Sequence, residues 1–349
     1  MSFLAPYGMT SAGFDKALGD FRRAIGDQWV LSGDEDRQTY IDPYAMGDGL
    51  DHDCSAILAP STVEEVQAIL RIANQHKTPL WPVSRGKNLG YGAASPKEKG
   101  DIILDLSRMN RILDVNEKQA SCLIEPGVGY FDLFRHLRER NLPLWMSVPG
   151  NSWGSVVGNA LDRGIGYTPY GDHCETLCGL EVVLPDSSLV RTGMGAMQGA
   201  AGWQSYKYGY GPGWDQMFMQ SNFGVVVKAG MWLQPEPEMT AKITLALPNF
   251  DDAGWALDIL CDLRRRDIIH PHRREKQPEK KARGWIEMAL HRLLQQRPAL
   301  QIAPVQHMQP DRTAHIRHIP ETRQKLCRDS VEFRISLDKT SSMHHQQKR

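Results

Sequence analysis

The sequence predicts an α+β fold built from many short strands and a few amphipathic helices. One observation is a stretch of helical periodicity between two short apolar segments near residue 70, which is the order of a βαβ unit. A second is that short runs rich in β-branched residues recur after residue 100, separated by turn signals. The 349 residues of the chain are enough for two domains with a sizeable core.

The first elements form this βαβ unit behind an N-terminal helix. Four apolar residues share one face of the helix predicted over 14–25: Phe14, Leu18, Phe21 and Ile25. Residues 55–59 and 78–83 are predicted strands, and Ser61 to Glu64 form a predicted capping box between them. The helix that follows has one apolar face: Val63, Val66, Leu70 and Ala73.

The later elements follow from the same patterns. Five more segments have the pattern of strands: 101–105, 121–125, 179–184, 189–191 and 225–233. A helix is predicted over 130–140, with three residues facing inward: Leu133, Phe134 and Leu137. Pro235 and Pro237 end this region, after which 242–247 is a predicted strand and 252–266 a predicted helix.

A glycine-punctuated loop from Arg85 to Gly92 follows the strand at 78–83. Glycine allows positive φ and close approach of the backbone to a ligand, and consecutive N–H groups in such a loop form a concave anion site. Because Arg85 and Lys87 add positive charge, the loop is predicted to hold a phosphate or pyrophosphate, with Tyr91 beside the bound group. The alternative is an ordinary tight turn.

A second loop, residues 147–173, has glycines too dense for regular structure: Gly150, Gly154, Gly158, Gly164, Gly166 and Gly171. Two such loops in one domain predict a large flat cofactor, and the alternative is a loop-rich surface. His173 is interpreted as a hydrogen-bonding histidine rather than a catalytic one. An aromatic cluster among later glycines is assigned to the core rather than to a docking face: Trp203, Tyr206, Tyr208, Tyr210 and Trp214.

Composition argues against several classes of protein. The net charge of +0 favours neither a nucleic acid nor an anionic membrane as partner, and no segment is apolar enough to span a bilayer. Six scattered cysteines and a histidine spacing that fits no usual site predict no metal and no disulfide framework. The N-terminus lacks the pattern of a signal peptide, which favours synthesis in the cytoplasm without deciding the final location.

These strings carry a resemblance. Residues 85–92 (RGKNLGYG) and 158–173 (GNALDRGIGYTPYGDH) resemble the flavoprotein family of 4-cresol dehydrogenase (p-cresol methylhydroxylase), eugenol hydroxylase and vanillyl-alcohol oxidase. Residues 181–184, 191–195 and 208–212 match it as well, and the likeness runs from about residue 10 to about residue 270. It implies an FAD-binding domain of the p-cresol methylhydroxylase type, made of two α+β subdomains, followed by the start of a substrate domain.

The resemblance also implies the site residues. The first loop would hold the FAD pyrophosphate through its backbone, from residues Arg85, Gly86, Lys87, Asn88, Leu89 and Gly90. The second loop would contact the flavin and ribityl side through Gly154, Ser155, Gly158, Asn159 and Gly166. The adenine end would meet Gly224, Val225 and Val226, and Tyr91 would be the catalytic tyrosine that holds a substrate phenol as phenolate.

The implied reaction is oxidation of a 4-alkylphenol such as eugenol or 4-cresol, with hydride transfer from the benzylic carbon to FAD and a quinone methide as product. Gly150 and Asn151 stand where the oxidase members have an Asp, which favours the dehydrogenase branch over an aryl-alcohol oxidase that uses oxygen. The electron acceptor would be a c-type cytochrome on a separate subunit, because the chain has no Cys-x-x-Cys-His site. A homodimer is also expected.

The predicted domain organisation has four parts. Residues 1–50 form an N-terminal helical segment, 51–237 the FAD-binding domain and 238–272 the beginning of the substrate domain. Residues 273–349 contain 17 Lys and Arg, 8 Asp and Glu and a single glycine, Gly284. This basic tail has no counterpart in the family and is interpreted as frameshifted or disordered, so that a non-catalytic FAD-binding remnant is a further alternative.

Overall fold

The computed structural model describes residues 4–166, 170–209, 211–236, 240–242, 253–266 and 336–338 of the chain. The chain divides into two units, Met1–Glu236 and Pro237–Arg349. The predicted N-terminal segment 1–50 lies within the first unit, which also contains both glycine-rich loops.

Helix α1 (Ser11–Ile25) begins at Thr10, whose hydroxyl accepts the N–H of Gly13 at 3.2 Å. Its four predicted apolar residues are all buried, so the helical pattern is confirmed. A short helix α2 (Asp34–Gln38) follows, and α1 packs on helix α3 (Val63–His76). The N-terminal segment therefore contributes to the core of the first unit.

A four-stranded sheet lies under these helices. Its strands are β1 (Val30–Leu31), β2 (Ala56–Leu58), β3 (Leu80–Val83) and β4 (Ile102–Asp105), in the order β1-β2-β4-β3. Both β2 and β3 run parallel to β4, while β1 is antiparallel to β2. Because α3 connects β2 to β3, the predicted βαβ unit is confirmed.

The capping of α3 differs from the prediction by one residue. Thr62 is the N-cap, and its hydroxyl accepts the N–H of Glu65 at 3.2 Å. The Glu65 carboxylate in turn accepts the N–H of Ser61 at 2.6 Å. The predicted capping box at Ser61 and Glu64 was wrong by one position. Thr62 and Glu65 have the same three-residue spacing as Ser61 and Glu64, so the sequence could not distinguish the two pairs.

A five-stranded antiparallel sheet forms the second half of the unit. Its strands are β5 (Ile112–Asn116), β6 (Ser121–Ile124), β8 (Leu177–Val183), β9 (Leu189–Arg191) and β10 (Val225–Trp232), in the order β5-β6-β10-β8-β9. A separate pair joins β7 (Leu144–Trp145) to β11 (Gln234–Pro235). The two sheets correspond to the two α+β subdomains that the resemblance implies, and β5 is a strand that the sequence reading missed.

Helices α4 (Tyr130–Glu139) and α5 (Val156–Leu161) share a core with the second sheet. Tyr130, Leu133 and Leu137 are the buried residues of α4, whereas Phe134 is 47% exposed. The prediction that Phe134 faces inward was therefore wrong. Phe134 is one residue past Leu133 on the helix, so its side chain turns about 100° away from the buried face.

Two carboxylates are buried in the second sheet and both have cationic partners. Glu181 accepts from Arg191 Nε at 2.6 Å and from Lys228 Nζ at 2.5 Å. Glu125 accepts from Arg111 Nη2 at 2.7 Å and from the Arg111 backbone N–H at 2.8 Å. These pairs explain how full charges are accommodated within the sheet, since an unpaired buried charge is costly.

The second unit is described only in part. Strand β12 (Thr240–Lys242) pairs antiparallel with β13 (Ser336–Asp338), and helix α6 (Ala253–Arg265) buries Ala256, Ile259 and Leu263. Helix α6 confirms the helix predicted over 252–266, and the predicted strand 242–247 overlaps β12 at Lys242. The rest of that strand and all of the basic tail except Ser336–Asp338 lie outside the described residues, so the substrate domain at 238–272 stays a prediction.

Among the described residues, no helix has the length and apolar character that crossing a membrane requires. The same residues contain no group of three or more His, Cys, Asp or Glu side chains arranged to hold a metal ion.

Candidate functional site

A cleft of about 870 Å³ lies at the carboxyl ends of β3 and β4. In open sheets with parallel strands, ligands bind outside this edge because the loops that leave the strands surround it. One side of the cleft is the first glycine-rich loop, and the other is the segment that follows α2. The lining includes Tyr40, Ile41, Arg85, Gly86, Lys87, Leu89, Asp105 and Asp132.

The backbone of the first loop is shaped by its glycines. Gly86 has a φ of +58°, and a Cβ on it would lie 2.5 Å from the Cβ of Ala94, so only glycine fits there. Gly90 and Gly92 also have positive φ. The N–H groups of Lys87, Asn88 and Leu89 donate to no acceptor within the described part of the chain. They are the donors that a phosphate beside this loop would need.

Asp42 fixes the far end of the loop and was not singled out by the sequence reading. Its carboxylate accepts the N–H groups of Gly90 and Gly92, each at 2.9 Å, and that of Tyr44 at 3.0 Å. Burial raises the pKa of Asp42, but these three N–H groups lower it by more, so the pKa lies below its ordinary value. The Gly90 N–H, predicted as a pyrophosphate donor, is thus engaged by a carboxylate.

The Asp42–Pro43 dipeptide was the signal that could have found this residue. Asp before Pro favours a turn, because its side chain accepts from the backbone two residues on, as Asp42 does from Tyr44. The contact with the loop could not be read in this way, since 48 residues separate Asp42 from Gly90.

Arg85 is held by protein groups. Its Nη1 lies 2.5 Å from the Asp132 carboxylate and 3.3 Å from the carbonyl of Gly127. Asp132 also accepts the N–H of Gly129 at 3.0 Å, at the start of α4. The guanidinium therefore joins the first loop to α4, and because Asp132 lines the same cleft, the ion pair adds little net charge to its wall. Lys87 makes no ion pair with any residue that the structure describes.

The second loop bonds to the first through Asn151, whose Nδ2 donates to the carbonyl of Lys87 at 2.5 Å, and it approaches the start of the first loop at Gly158. Ser155 is the N-cap of α5, where its hydroxyl accepts the N–H of Gly158 at 2.8 Å and donates to the carbonyl of Pro126 at 2.5 Å. A Cβ on Gly158 would lie 2.8 Å from Ser84 Oγ, just before the first loop. Gly154 is half-buried, and its carbonyl accepts the N–H of Tyr130 at 3.3 Å.

Buried hydrogen bonds around His173 hold the rest of the second loop. His173 Nδ1 is 2.5 Å from Asn159 Oδ1, and Nε2 is 2.8 Å from Ser147 Oγ. With an amide oxygen at Nδ1, the neutral ring donates there and accepts the Ser147 hydroxyl at Nε2. Burial lowers the pKa of His173, which favours this neutral form. The interpretation of His173 as a hydrogen-bonding residue is therefore confirmed.

Gly166 packs directly against the hydrogen bonds around His173. A Cβ on Gly166 would lie 2.6 Å from His173 Nε2 and 2.8 Å from the carbonyl of Val148, so no larger residue fits without a shift. The ordered contacts of Asn159, Gly166 and His173 argue against an ordinary loop-rich surface. Residues 167–169, which include Tyr167, lie outside the described part of this loop.

Of the predicted contacts, Arg85, Gly86, Lys87 and Leu89 line the cleft, whereas the second-loop residues, the adenine-end residues and Tyr91 do not. Gly224, Val225 and Val226 lie at the start of β10, where the two valines pair with β8 and are buried. Tyr91 is 85% exposed, in a turn between Gly90 and Gly92, and does not line the cleft. The adenine contact and the catalytic role of Tyr91 stay predictions.

The aromatic cluster after residue 200 is at the surface, so its assignment to the core was wrong. Tyr206, Tyr208 and Trp214 are each more than half exposed. The error arose because the glycines around these residues belong to exposed turns, and no periodicity marks an inward face there. Tyr210 lies outside the described residues.

Known proteins share this domain. Residues 54–193 match the family model described as FAD binding domain. The chain is 39% identical, over 76% of its length and 51% of the relative's, to the 4-cresol dehydrogenase (hydroxylating) flavoprotein subunit of Pseudomonas putida. It is 40% identical to the 1'-carboxy-chondrochloren decarboxylase of Chondromyces crocatus, over 74% of this chain and 48% of that one.

A solved structure agrees with these relatives. The crystal structure of p-cresol methylhydroxylase with substrate bound matches with a TM-score of 0.73 at 39% identity, covering 76% of this chain and 52% of that one. The chain spans about half the length of the curated relatives that it matches.

The fold, the two loops and these likenesses define a flavoprotein domain whose cofactor is FAD. More narrowly, the fold of this domain is similar to that of p-cresol methylhydroxylase, and its sequence to that of the 4-cresol dehydrogenase flavoprotein subunit. The predicted fold class and the resemblance to the 4-cresol dehydrogenase family are confirmed.

Proposed function

We propose that this domain serves the oxidation of a 4-alkylphenol, of the eugenol or 4-cresol type. The observation that carries the proposal is the loop from Arg85 to Gly92, which borders the cleft with unpartnered N–H groups at Lys87, Asn88 and Leu89. These donors suit the diphosphate of FAD, and the volume of the cleft suits part of a dinucleotide. When bound, FAD would supply the redox chemistry by accepting hydride from the benzylic carbon of the phenol.

The residues of the chain would bind and orient the cofactor. Lys87 to Leu89 would donate to the diphosphate, and the Lys87 ammonium, which has no ion pair among the described residues, would offset part of its negative charge. Gly158 and Gly166 would allow the second loop to approach the flavin and ribityl side closely, as their crowded Cβ positions suggest. Ser155 and Asn159 would keep that loop in place through their hydrogen bonds to the Gly158 N–H and to His173.

Tyr91 would act on the substrate. A phenolate pushes electron density towards its para carbon, so that hydride leaves the benzylic position and a quinone methide results, which water then attacks. A tyrosine hydroxyl that donates to the phenolate oxygen favours ionisation of the substrate phenol, and the phenolate is the form from which hydride leaves. The high exposure of Tyr91 supports the proposal in one respect, since its hydroxyl is free to meet a substrate.

Electrons would pass to a c-type cytochrome on another subunit. The relative from Pseudomonas putida is itself called a flavoprotein subunit, which supports a partner chain. FAD binding without oxidation of a phenol is the second candidate, because the family model that matches residues 54–193 describes FAD binding alone. Since one relative is a dehydrogenase and another a decarboxylase, the domain alone does not decide the substrate.

The visible absorption spectrum of the full chain, before and after addition of eugenol without oxygen, tests these candidates. We expect a flavin spectrum that bleaches with eugenol. A flavin spectrum that does not bleach would favour FAD binding without phenol oxidation, and a protein without flavin after incubation with FAD would contradict the proposal. If bleaching occurs, an oxygen electrode and a dye acceptor separate an oxidase from a dehydrogenase.

A pair of variants sharpens the test of Tyr91. Tyr91→Phe should keep the flavin spectrum and slow the bleaching by eugenol at least tenfold. Tyr44→Phe is the matched control, because Tyr44 is also exposed and lies beside the same loop, near Gly90. Equal slowing in both variants, or in neither, would remove Tyr91 from the proposed reaction.

A further inference from the structure

We propose that Asp42 is the positioning residue of the first loop. It would hold the loop in the shape that leaves the N–H groups of Lys87 to Leu89 open to a diphosphate, and would fix the backbone of Tyr91 at the same time. This inference rests on the proposed binding of FAD at this loop. It gives a role to Asp42, which lies outside both glycine-rich loops.

The first argument is the placement of a single oxygen. Asp42 Oδ2 accepts the N–H of Gly90 and the N–H of Gly92, both at 2.9 Å, and so spans the residue between them, Tyr91. Both glycines have positive φ. Because glycine adopts positive and negative φ about equally, an unanchored loop would have many other conformations at these two positions. One carboxylate that binds both N–H groups removes much of that freedom on the two sides of Tyr91.

The second argument is that Asp42 is itself anchored to the sheet. Its N–H donates to Ser95 Oγ at 3.2 Å, and that hydroxyl donates to the carbonyl of Tyr40 at 3.1 Å. The Tyr40 hydroxyl donates to Asp105 Oδ2 at 2.7 Å, at the end of β4. Asp42 as a whole residue is only 5% exposed, so water does not compete strongly for its carboxylate. A chain of contacts therefore links the strand end to the loop.

The third argument concerns which N–H groups are free. Asp42 and a diphosphate are both anions and cannot share the same donors. Within the described part of this loop, the N–H groups of Lys87, Asn88 and Leu89 have no acceptor, whereas those of Gly90 and Gly92 donate to Asp42. The first half of the loop, up to Leu89, would thus bind the ligand, whereas the second half, from Gly90 to Gly92, is hydrogen-bonded to Asp42.

The opposite reading makes a different prediction. If Asp42 merely occupied an anion site that the diphosphate would otherwise use, its removal would strengthen binding. If Asp42 positions the loop, its removal weakens binding, because the loop must then be ordered by the ligand. The sign of the change in affinity decides between the two.

The experiment compares Asp42→Asn with Asp48→Asn in the full chain. Asp48 is the matched control, because it is an exposed carboxylate in the same segment whose Oδ1 also accepts a backbone N–H, that of Leu50 at 3.0 Å. Titration calorimetry measures the dissociation constants of FAD and ADP, and displacement of FAD measures adenosine, which lacks the diphosphate. Hydrogen exchange of the Gly90 and Gly92 amides is followed without ligand.

We expect Asp42→Asn to weaken FAD and ADP about tenfold or more, the effect of losing one charge-assisted hydrogen bond, and to leave adenosine within about twofold. Asp48→Asn should match the wild type throughout. A merely structural role would weaken adenosine equally, and unchanged or tighter binding of FAD in Asp42→Asn would overturn the proposal.

Failure of the proposed function is visible separately. If the wild-type chain binds neither FAD nor ADP, the proposal for FAD fails at this loop, and hydrogen exchange then decides the role of Asp42. Faster exchange at Gly90 and Gly92 in Asp42→Asn alone would still support Asp42 as the positioning residue of the loop. Equal exchange in all three proteins would overturn it.

Discussion

Gly158 and Ser84 bring the two glycine-rich loops into contact, with only 2.8 Å between Ser84 Oγ and the place where a Cβ of Gly158 would lie. Gly158 lies in α5, which shares a core with the second sheet, and Ser84 directly follows β3 of the first sheet. This contact therefore joins the two halves of the first unit. The spacing of the two loops in the candidate site depends on this approach.

Gly158→Ala should therefore move the loops apart. We expect a loss of about 1–3 kcal/mol in the free energy of unfolding, the usual cost of an added methyl group in a packed site, together with weaker binding of FAD. Urea unfolding and a titration with FAD measure the two effects. Gly19→Ala is the control, since Gly19 also lies in a helix and its Cβ would come no closer than 3.7 Å to Arg23 Nη1. Equal losses in both variants would contradict the role given to this contact.

The cap of α3 offers a test at single-residue resolution. Thr62→Ala should destabilise the protein by about 1 kcal/mol, because the N–H of Glu65 loses its acceptor. Ser61→Ala should cost less, since the Ser61 backbone N–H still donates to Glu65. Thermal unfolding of both variants ranks them, and a larger loss for Ser61→Ala would restore the box that the sequence predicted.

The buried imidazole of His173 predicts a dependence of stability on pH. Its folded-state pKa lies below the ordinary value of 6.5, so the unfolded chain binds a proton that the folded chain does not. Below pH 6.5 the free energy of unfolding should therefore fall, and it should rise to a plateau above that pH. His173→Gln should flatten this slope in urea unfolding series, relative to the wild type.

Ser147→Ala is the companion variant for His173. It removes the hydroxyl at Nε2 but keeps the imidazole, so the slope below pH 6.5 should persist while overall stability falls. Some slope will also remain in His173→Gln, because burial lowers the pKa of His136 as well. If the free energy of unfolding falls equally with pH in His173→Gln and the wild type, then proton binding by His173 does not differ between the folded and unfolded states.

The carboxylate of Glu181 should be worth more than a surface ion pair. Glu181→Ala leaves Lys228 and Arg191 without their partner inside the sheet, and we expect a loss of about 3 kcal/mol or more in the free energy of unfolding. Arg138→Ala, which breaks a pair with Glu236 at the surface, should cost at most about 1 kcal/mol. Guanidinium unfolding of the two variants makes the comparison, and similar losses would show that the Glu181 partners are fully rehydrated.

Local patterns predicted those parts of the fold that are held by local physics. The α1 face of Phe14, Leu18, Phe21 and Ile25 was correct because helical periodicity depends on neighbours three and four residues apart. Phe134 was assigned to the wrong face because two adjacent apolar residues in α4 do not show which one faces inward. The exposed aromatics near Tyr206 failed for a similar reason, since loops have no period.

The candidate site was predictable where glycine and charge mark it. The loop from Arg85 to Gly90 does border a cleft, and His173 does hold the second loop. Asp42 could not be found, because its contact with Gly90 spans 48 residues and depends on how a segment folds back over the sheet. Nor could the sequence show that Arg85 is engaged by Asp132, 47 residues later.

The place of β10 in the second sheet has a consequence for the order of assembly. The strand lies between β6 and β8, yet it is the last of the five to leave the ribosome. The β5–β6 and β8–β9 pairs can each form from nearby chain, but they are joined only when Val225–Trp232 arrives. The four strands of the first sheet are available once Asp105 has been made. During synthesis, the first loop and the strand ends that border the cleft can thus form well before the second loop has a completed sheet to rest on.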